Sequence, residues 1–531
     1  MKEWRLTIIV CAFVMFAFVI ELNMISIAIE PVYYEYANKQ QNKEIEITDG
    51  RGIITDNNFN NITNTNMQMK TLVTVYDDDI QQVFNALTEK EKKKFYDNMK
   101  SQKNFIVEID ETVKNREIYN TTSRYTDFNI AQHLIGYVDG EGNGVSGIEK
   151  VFDEQLKNAK RAQFLCLKLN GYGEIVETEK IEKMKDKNKI PSLLMLTIDN
   201  TLQRMCEGIA KEHIPNGSLV VMETKTGKIK AMVSTPFYSA NNVAAALNQK
   251  DSPLLNKSLQ SYEIGSVIKP LWSAALIENG FNPEKVYECT GTINVNGHEY
   301  HCANNRAHGP VDMQQALTVS CNCYFINAAV SDKAGVFYEM AKNVSFGENI
   351  ELAKNYGTKA GCFPSKEELE NAGQLASISF GQGEMLLTPI HVMAYMNIFA
   401  NNGVYVQPQT VQGIYNSDSK ELITNMYNYK EKQVISQQTA EKIKQMLKNV
   451  VEEGAMGRAN PNFLSAGGKT GTAQTGRYDD NGEILNAWFC GFYPFDNPQY
   501  TICIMMHNGG ESTRTAAPVF KKVCDSLYYL I

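Results

Sequence analysis

Near the middle of the chain, residues 265–270 read Gly-Ser-Val-Ile-Lys-Pro. Proline has no amide hydrogen and is tolerated in a helix only near its beginning, so we predict that a helix starts close to Gly265. Ser266 would then lie at the helix N-terminus, and Lys269 would follow one turn later on the same face. The spacing therefore predicts a serine hydroxyl within hydrogen-bond reach of a lysine amine.

This pair has the makings of a nucleophile and its base. A serine hydroxyl reacts well only when a base takes its proton, and a lysine can do so only as a neutral amine. Burial among Ile264, Val267 and Ile268, together with a nearby second cation, would lower the pKa of Lys269. The orphan amide of Ser266 would point to where negative charge develops on an attacked carbonyl. We predict that Ser266 is the nucleophile and Lys269 its base.

Two further motifs follow in the chain. Residues 318–323 read Thr-Val-Ser-Cys-Asn-Cys and contain Ser320 and Asn322. We expect Ser320 to shuttle a proton and Asn322 to orient both the substrate backbone and Lys269. Residues 467–473 read Gly-Gly-Lys-Thr-Gly-Thr-Ala, which is typical of an edge strand that binds a peptide by strand addition.

The third motif also supplies charge and hydrogen-bond donors. Lys469 and the hydroxyls of Thr470 and Thr472 would bind a terminal carboxylate. Gly471 has no side chain to obstruct a bound peptide. Lys469 is the second cation expected near Lys269, and the amide of Thr472 would complete an oxyanion hole.

Each motif alone carries little weight, because the same patterns recur in loop-like contexts. The recurrences are Ser417 with Lys420, Ser239 with Asn241, and Lys225-Thr226-Gly227 between two strand-like runs. A structural alternative treats Ser266 as a helix cap and Lys269 as a solvated first-turn residue. In it, Ser320 and Asn322 are turn residues, and residues 469–473 form an ordinary edge strand. Three motifs in order, each with the local structure that the chemistry needs, favour catalysis.

Composition narrows the class of protein. The chain has 531 residues, which predicts several domains, and its net charge of -8 excludes the basic excess of a nucleic-acid-binding protein. Its 11 cysteines are an odd number without a repeating spacing, so no disulfide framework is predicted. Cys289, His298, His301 and Cys302 match no zinc spacing, so a disulfide or free thiols are favoured over a metal site there. We predict neither a metal nor a cofactor.

The N-terminus predicts one membrane crossing. Leu6 to Ile20 is apolar apart from Thr7, and a mostly apolar stretch continues to Ile29. Cationic residues precede this segment and none follows closely, so the short N-terminus would lie inside and the rest of the chain outside. A cleaved signal peptide is the alternative, although Ser26-Ile-Ala28 is a poor cleavage site.

We predict three domains. Residues 1–30 form a cytoplasmic tip and transmembrane anchor, residues 31–188 an exterior module that ends in a highly charged stretch, and residues 189–531 the domain with the three motifs. In that last domain, strands at both ends and helices between them predict α/β layers in which the first and last segments share a sheet.

Over nearly its whole length, the chain resembles the class B penicillin-binding proteins. Besides the three motifs, the resemblance includes residues 199–203, 256–264, 308–311 and 381–384, and pedestal-like motifs at 51–56, 133–137 and 144–149. It implies the penicillin-binding transpeptidase fold, with a central antiparallel sheet, helices on both faces, an extended N-terminal pedestal and one transmembrane helix. Departures occur at residues 56–59, Asp-Asn-Asn-Phe for the usual Asp-Arg-Asn-Gly, and around Ser266, where both reacting side chains remain.

The resemblance also implies a function. It makes the chain a bacterial single-pass peptidoglycan D,D-transpeptidase of cell-wall synthesis and a target of β-lactams. Ser266 would be acylated, Lys269 would be its base, Ser320 and Asn322 would form the second motif, and Lys469 to Thr472 the third. Its partners would be stem peptides, β-lactams and a polytopic membrane glycosyltransferase. The alternatives are a D,D-carboxypeptidase or β-lactamase that uses water, and a β-lactam sensor or noncatalytic scaffold.

Overall fold

The computed structural model describes residues 2–32, 35, 41–48, 50–101, 104–159, 163–176, 181–185, 191–331, 334–480 and 482–530. The chain forms two compact units. The smaller unit comprises Met1–Arg51, Asn66–Ser123 and Lys157–Ile190, and the larger comprises Gly52–Thr65, Arg124–Leu156 and Pro191–Ile531. The predicted boundary after residue 188 lies outside the described residues. The three domains therefore stay a prediction.

Two segments that the sequence assigned to the pedestal pack into the larger unit. The strand Ile53–Thr55 pairs in parallel with the strand Ser192–Leu196. The Arg124 guanidinium lies 2.7 Å from the Glu149 carboxylate, and both side chains are buried. A buried charge is costly without its partner, so this ion pair holds residues 124 and 149 together inside the unit.

The smaller unit begins with the helix Lys2–Ile29, which is exposed from Trp4 onward. Over Trp4–Ile29 this helix is long and apolar enough to cross a membrane. It coincides with the predicted anchor and is a candidate membrane anchor.

Among the described residues, the rest of the smaller unit contains two three-stranded sheets and the two helices that follow the strand Asn66–Thr74. One sheet has the order Asn104–Ile109, Asn66–Thr74, Tyr119–Ser123, and the other has the order Asn42–Glu46, Gln163–Lys168, Glu182–Lys185. The helices are Ile80–Ala86 and Glu89–Ser101. Phe95 is the buried residue of the second helix, so the charged run of this helix forms a solvated face.

The larger unit is built on a five-stranded sheet. Its strands are β1 (Gly217–Glu223), β2 (Ile229–Thr235), β3 (Gly467–Asp479), β4 (Gly482–Tyr493) and β5 (Tyr500–Met506). Their order across the sheet is β2-β1-β5-β4-β3, and all neighbours are antiparallel. The prediction that segments from both ends of the domain share one sheet is confirmed for β1 and β2 and for β4 and β5, whereas the strand Ser192–Leu196 lies in another sheet.

Five helices matter for the position of the site: α1 (Asn200–His213), α2 (Lys269–Glu278), α3 (Asn322–Val330), α4 (Pro389–Ala400) and α5 (Ala516–Leu527). Successive residues of a strand point to opposite faces of its sheet. Accordingly, Phe489 of β4 packs in the core that contains α1 and α5, whereas Trp488 packs in the core that contains α2, α3 and α4. Helices therefore cover both faces, and the predicted fold class is confirmed.

The described part of the larger unit contains further helices and strands. The other helices are Gln132–Ile135, Gly147–Val151, Asp153–Asn158, Val243–Leu247, Met313–Thr318, Ala334–Asn343, Lys366–Leu369, Ala372–Ser379 and Gln437–Glu452. The other strands are Tyr262–Glu263, Tyr287–Cys289, Thr292–Val295, His298–His301, Gly309–Val311, Glu351–Ala353, Tyr356–Gly357, Leu386–Leu387, Val404–Val406, Val411–Asn416, Leu422–Asn425 and Glu431–Gln433.

Candidate active site

Ser266 lies in a tight turn that leads into a helix. A 3-10 turn spans Gly265–Ile268 and continues directly into α2, which has Pro270 in its first turn. The predicted helix start near Gly265 is confirmed. Side chains three positions apart eclipse each other in a 3-10 turn, so Ser266 and Lys269 share a face. Ser266 is half-buried, whereas Lys269 is fully buried.

Two glycines let this turn lie directly against β3. A Cβ added to Gly265 would lie 2.7 Å from the carbonyl oxygen of Thr472. A Cβ added to Gly471 would lie 2.6 Å from the carbonyl oxygen of Ile264. From the sequence, the missing side chain of Gly471 was predicted to leave room for a bound peptide. In the structure this space is occupied by the turn that carries Ser266.

The amine of Lys269 is directed at the second motif. Its Nζ donates hydrogen bonds to Asn322 Oδ1 at 2.7 Å, to the carbonyl oxygen of Ser320 at 2.8 Å and to Ser320 Oγ at 3.3 Å. Within the described part of the chain, none of its hydrogen bonds goes to Ser266 Oγ. Burial lowers the pKa of Lys269 to about 8. The alternative of a solvated first-turn lysine is therefore wrong.

Lys469 approaches the same hydroxyl from β3. Its side chain is 1% exposed, and its Nζ donates to Ser320 Oγ at 3.2 Å and to the carbonyl oxygen of Thr470 at 3.3 Å. Burial, together with the positive charge of Lys269, lowers the pKa of Lys469 well below its ordinary value. Ser320 Oγ thus lies between two buried amines, which is the arrangement that a proton relay requires.

The second motif is held in an unusual backbone conformation. Ser320 has φ of 56°, in the left-handed region that few residues other than glycine adopt. This turn connects the helix Met313–Thr318 to α3 and directs both the hydroxyl and the carbonyl of Ser320 toward Lys269. The Asn322 Nδ2 donates to the carbonyl oxygen of His301 at 3.0 Å, which fixes the amide so that its oxygen faces Lys269.

Strand β3 is an edge strand of the central sheet, as predicted, since its one neighbour in the order of the five described strands is β4. Thr470 and Thr472 are half-buried beside Lys469. Thr472 Oγ1 accepts a hydrogen bond from the amide of Ser512 at 3.2 Å and lies 2.9 Å from its hydroxyl. Ser512 is a contact that the sequence analysis missed, because a lone serine in a loop carries no motif.

A row of hydrogen-bonded polar side chains beside β3 was also not predicted from the sequence. Asn486 Nδ2 donates to Glu263 Oε2 at 2.9 Å, and Asn486 Oδ1 lies 2.9 Å from His507 Nδ1. Glu263 and Gln474 line a cavity of about 360 Å³ next to these hydrogen-bonded side chains. The position of Glu263 three residues before Ser266 was the sequence signal available for it.

The recurrences of the three patterns lie apart from this cluster. Residues 225–227 form the turn between β1 and β2, and Ser417 to Lys420 form a turn after the strand Val411–Asn416. Both loop predictions are confirmed. Ser239 caps a short 3-10 helix, Ala240–Asn242, at a place where a loop was predicted. Its hydroxyl accepts a local hydrogen bond from the Asn241 amide, which explains the short helix.

Sulfur and imidazole groups gather behind the second motif. Cys289, Cys302, His308 and Cys321 place one potential ligand atom each within 4.8 Å of the others. The group of four considered in the sequence was different. His298 packs edge-on against Tyr300, and His301 lies 3.6 Å from Glu299 near the surface. The cluster contains cysteines 289 and 302 but takes its histidine and third cysteine from farther along the chain.

Comparison with known proteins gives the family. Residues 217–525, more than half of the chain, match the penicillin binding protein transpeptidase domain. The chain belongs to this family. It is 26% identical over 428 residues to penicillin-binding protein PbpB of Mycobacterium tuberculosis, covering 75% of this chain and 60% of that protein. It is likewise 26% identical over 421 residues to peptidoglycan D,D-transpeptidase MrdA of Haemophilus influenzae, covering 73% of this chain and 63% of that protein.

The chain matches about 60% of the length of these relatives. Stage V sporulation protein D of Bacillus subtilis is 24% identical over 388 residues, covering 71% of this chain and 58% of that protein. Among solved structures, one from work on a peptidoglycan synthase complex that coordinates polymerization and crosslinking has a TM-score of 0.72 at 22% identity, covering 99% of both chains. A D,D-transpeptidase domain from Eggerthella lenta has a TM-score of 0.66 at 21% identity, covering 92% of this chain and 99% of that one. These likenesses confirm the fold.

Proposed function

We propose that this chain is a membrane-anchored peptidoglycan D,D-transpeptidase that acts through an acyl-serine intermediate. The observation that carries the proposal is the convergence of two buried amines on Ser320 Oγ, Lys269 at 3.3 Å and Lys469 at 3.2 Å, next to the turn that contains Ser266. Membership of the transpeptidase family supports the same chemistry.

Ser266 acts as the nucleophile in the first half-reaction. Its Oγ attacks the carbonyl carbon of the penultimate D-Ala of a stem peptide, and its proton passes to the neutral amine of Lys269. The lowered pKa of Lys269, about 8, supports this role because it enlarges the neutral fraction near neutral pH. Ser320 then relays this proton from Lys269 to the departing nitrogen, the C–N bond breaks, the terminal D-Ala leaves, and Lys269 is neutral again.

An amine of a neighbouring strand completes the reaction. It attacks the acyl-ester carbonyl, its proton passes to Lys269, and the new C–N bond replaces the bond to Ser266. Ser266 Oγ leaves as the alcohol after it regains a proton from Lys269. A β-lactam would acylate Ser266 by the same first step, with the nitrogen of its ring as the departing group.

The third motif binds the substrate in this proposal. The stem peptide lies along the free edge of β3, and Lys469 with the hydroxyls of Thr470 and Thr472 binds its terminal carboxylate. Gly471 contributes by letting β3 approach the Ser266 turn, since its Cα faces Ile264 and Val267. Asn322 orients the substrate backbone and Lys269, and the amides of Ser266 and Thr472 stabilise the oxyanion.

The remaining predictions on domains and partners belong to this proposal. The helix Lys2–Ile29 anchors the chain in the bacterial cell membrane with a single pass, residues 31–188 form a pedestal, and residues 189–531 act outside the cytoplasm. A polytopic glycosyltransferase is the proposed partner. One structural neighbour comes from a complex that couples polymerization to crosslinking, and another is penicillin-binding protein PBP2 of Helicobacter pylori in complex with MreC.

Labelling of the full-length chain in detergent with a fluorescent penicillin tests the nucleophile. We expect one labelled site, mapped by mass spectrometry to the peptide that contains Ser266, and loss of label in Ser266→Ala. Ser239→Ala, which alters a recurrence of the second motif, is the matched control and keeps the label. Labelling of Ser266→Ala at the wild-type level would disprove the assignment.

A second experiment separates the transpeptidase from its alternatives. Stem peptides on glycan strands, polymerised from lipid-linked substrate by an added glycosyltransferase, are incubated with the chain. Cross-linked dimers together with released D-Ala support the proposal. Shortened stems without cross-links would make the protein a carboxypeptidase, and penicillin labelling with neither product would make it a sensor.

A further inference from the structure

The cluster behind the second motif joins four separate segments of the larger unit. Cys289 ends the strand Tyr287–Cys289, and Cys302 follows the strand His298–His301. His308 precedes the strand Gly309–Val311, which pairs with Tyr287–Cys289 and so brings His308 beside Cys289. Cys321 is the residue before α3. The three cysteines are 0–2% exposed, and His308 is half-buried.

The separations between the ligand atoms fit a tetrahedral metal. With Zn–S bonds of about 2.3 Å and Zn–N bonds of about 2.0–2.1 Å, tetrahedral angles place two sulfurs about 3.8 Å apart and a sulfur and nitrogen about 3.5 Å apart. The Sγ atoms of Cys289 and Cys302 are 3.8 Å apart, as are those of Cys302 and Cys321. Cys289 Sγ lies 3.5 Å from His308 Nδ1.

These distances do not fit disulfides. A disulfide brings two sulfurs to about 2.05 Å, and all 11 cysteines of the chain are free. Each of the three sulfurs of the cluster has another of them at 3.8 Å, so the arrangement is a shared centre rather than one bonded pair. Three thiols and an imidazole are soft and borderline ligands that select zinc among common divalent ions in a tetrahedral site.

The surroundings also suit bound thiolates. The backbone amide of Tyr324 donates to Cys321 Sγ at 3.4 Å at the N-terminus of α3, where the helix dipole stabilises negative charge. The half-buried side chain of His308 gives an ion access to an otherwise buried site. Cys323 Sγ lies 3.5 Å from Cys302 Sγ but is outside the group of four.

We propose that Cys289, Cys302, His308 and Cys321 bind one Zn²⁺ ion in a structural Cys3His site. The ion adds no step to the acyl-transfer chemistry. It fixes Cys321, which is covalently between Ser320 and Asn322, and thereby positions the two residues whose oxygens accept hydrogen bonds from Lys269. Binding draws the remaining ligand pairs, which lie within 4.8 Å, toward tetrahedral separations.

Metal analysis of the full-length chain in detergent tests the site. We expect about one zinc per chain after purification with zinc present and removal of the free ion. His308→Ala removes a half-buried ligand with little packing to lose, and we expect its zinc affinity to fall by about tenfold or more. Cys302→Ser should lose the metal as well.

Two control variants keep this test decisive. Cys206→Ser alters a buried cysteine of α1 that lies in the same core as Phe489, and we expect the variant protein to keep its zinc. Cys323→Ser alters the sulfur beside the site and should also keep it. Zinc-free wild-type protein after exposure to the ion, equal zinc in His308→Ala and wild type, or a disulfide between Cys289 and Cys302 would each overturn the proposal.

A second readout tests the positioning role. Removal of zinc from the wild-type chain by a chelator should slow acylation by fluorescent penicillin, and added zinc should restore it. His308→Ala, a residue outside the three motifs, should show the same slowing. An unchanged acylation rate in zinc-free protein would overturn the positioning role. The metal content is measured without any activity, so failure of the zinc site and failure of the transpeptidase proposal give different results.

Discussion

Lys469 Nζ donates a hydrogen bond to Ser320 Oγ over 3.2 Å, although the two residues lie 149 positions apart in the chain. Lys269, which belongs to the first motif, donates to the same oxygen at 3.3 Å. Two like charges this close and this deeply buried cannot both be stable, so at least one amine is favoured as the neutral base. This relationship makes the behaviour of each lysine a test of the site.

Replacement of Lys269 by methionine tests its proposed function as a base, because methionine has no amine but keeps the packing of the aliphatic stem. Alanine would be less suitable, because Lys269 is fully buried and truncation would leave a cavity. We expect acylation by penicillin to slow by about 10²–10⁴-fold. Lys420→Met, in the recurrence of the first motif, is the control and should react normally. A wild-type rate in Lys269→Met would show that another group takes the proton.

The role of the Ser320 hydroxyl can be tested with two substitutions that differ in how easily their backbone adopts a positive φ. Ser320→Ala and Ser320→Gly both remove the hydroxyl, so we expect both to slow acylation by about 10²–10⁴-fold. Ser320 has φ of 56°, which glycine adopts more easily than alanine. Thermal melting should therefore show Ser320→Gly at least as stable as Ser320→Ala. Normal acylation in either variant would remove the hydroxyl from the proton relay.

Gly471→Ala should separate β3 from the turn that contains Ser266. The new Cβ would lie 2.6 Å from the carbonyl oxygen of Ile264, which is backbone and cannot move aside cheaply. We expect the free energy of unfolding to fall by about 1–3 kcal/mol and acylation to slow. Gly208→Ala is the matched control, because its Cβ would meet nothing within 4 Å and α1 should gain about 0.5–1 kcal/mol. Chemical denaturation measures both, and an equal response would argue against the close approach.

The buried His133 should make the free energy of unfolding decrease in mild acid. Burial lowers the pKa of His133 to about 4, and the nearby charge of Lys257 acts in the same direction. The unfolded chain therefore binds more protons between pH 6.5 and 4, so stability is full above pH 6.5 and falls as the pH approaches 4. The neutral imidazole donates to the carbonyl oxygen of Pro253, 2.7 Å from Nε2, and packs edge-on against Tyr238.

His133→Gln keeps a hydrogen-bond donor but does not titrate. Between about pH 7 and pH 4 we expect the variant to lose roughly 3 kcal/mol less of its free energy of unfolding than the wild type. His213→Gln, at a partly exposed position at the end of α1, is the control and should match the wild type. Parallel pH profiles of His133→Gln and the wild type would contradict the burial argument.

Local rules allowed much of this site to be predicted from the sequence. Pro270 placed the helix start near Gly265, and the glycines and threonines around Lys469 indicated an edge strand. The polar contacts beside β3 had no such signal, since each is made by a single polar residue far from its partner in the chain. These residues are Asn486, His507 and Ser512. The need for a glycine at position 471 was predicted, but for a different reason. The close approach of Ile264 depends on which segment packs against β3, and no local pattern indicates that.

The cysteine cluster shows the same limit. Zinc motifs are recognised by closely spaced ligand pairs, whereas cysteines 289, 302 and 321 and His308 are spread over residues 289–321. Pairing of the strands Tyr287–Cys289 and Gly309–Val311 brings His308 beside Cys289, and cysteines 302 and 321 join them from two other segments. His298 and His301 are nearer to cysteine 302 in sequence but lie in a hairpin that turns their side chains away.

The sequence by itself determined the order of the three motifs. It also determined the helix start beside Ser266, the edge strand at Lys469 and the apolar N-terminal segment, because each of these is encoded in one short continuous stretch of residues. The tertiary structure decided that both lysine amines are buried on Ser320 Oγ, that Gly471 faces the Ser266 turn, and that four ligand atoms meet behind Cys321. Burial and long-range contact depend on how distant segments pack, and packing sums many weak contacts that no local pattern records.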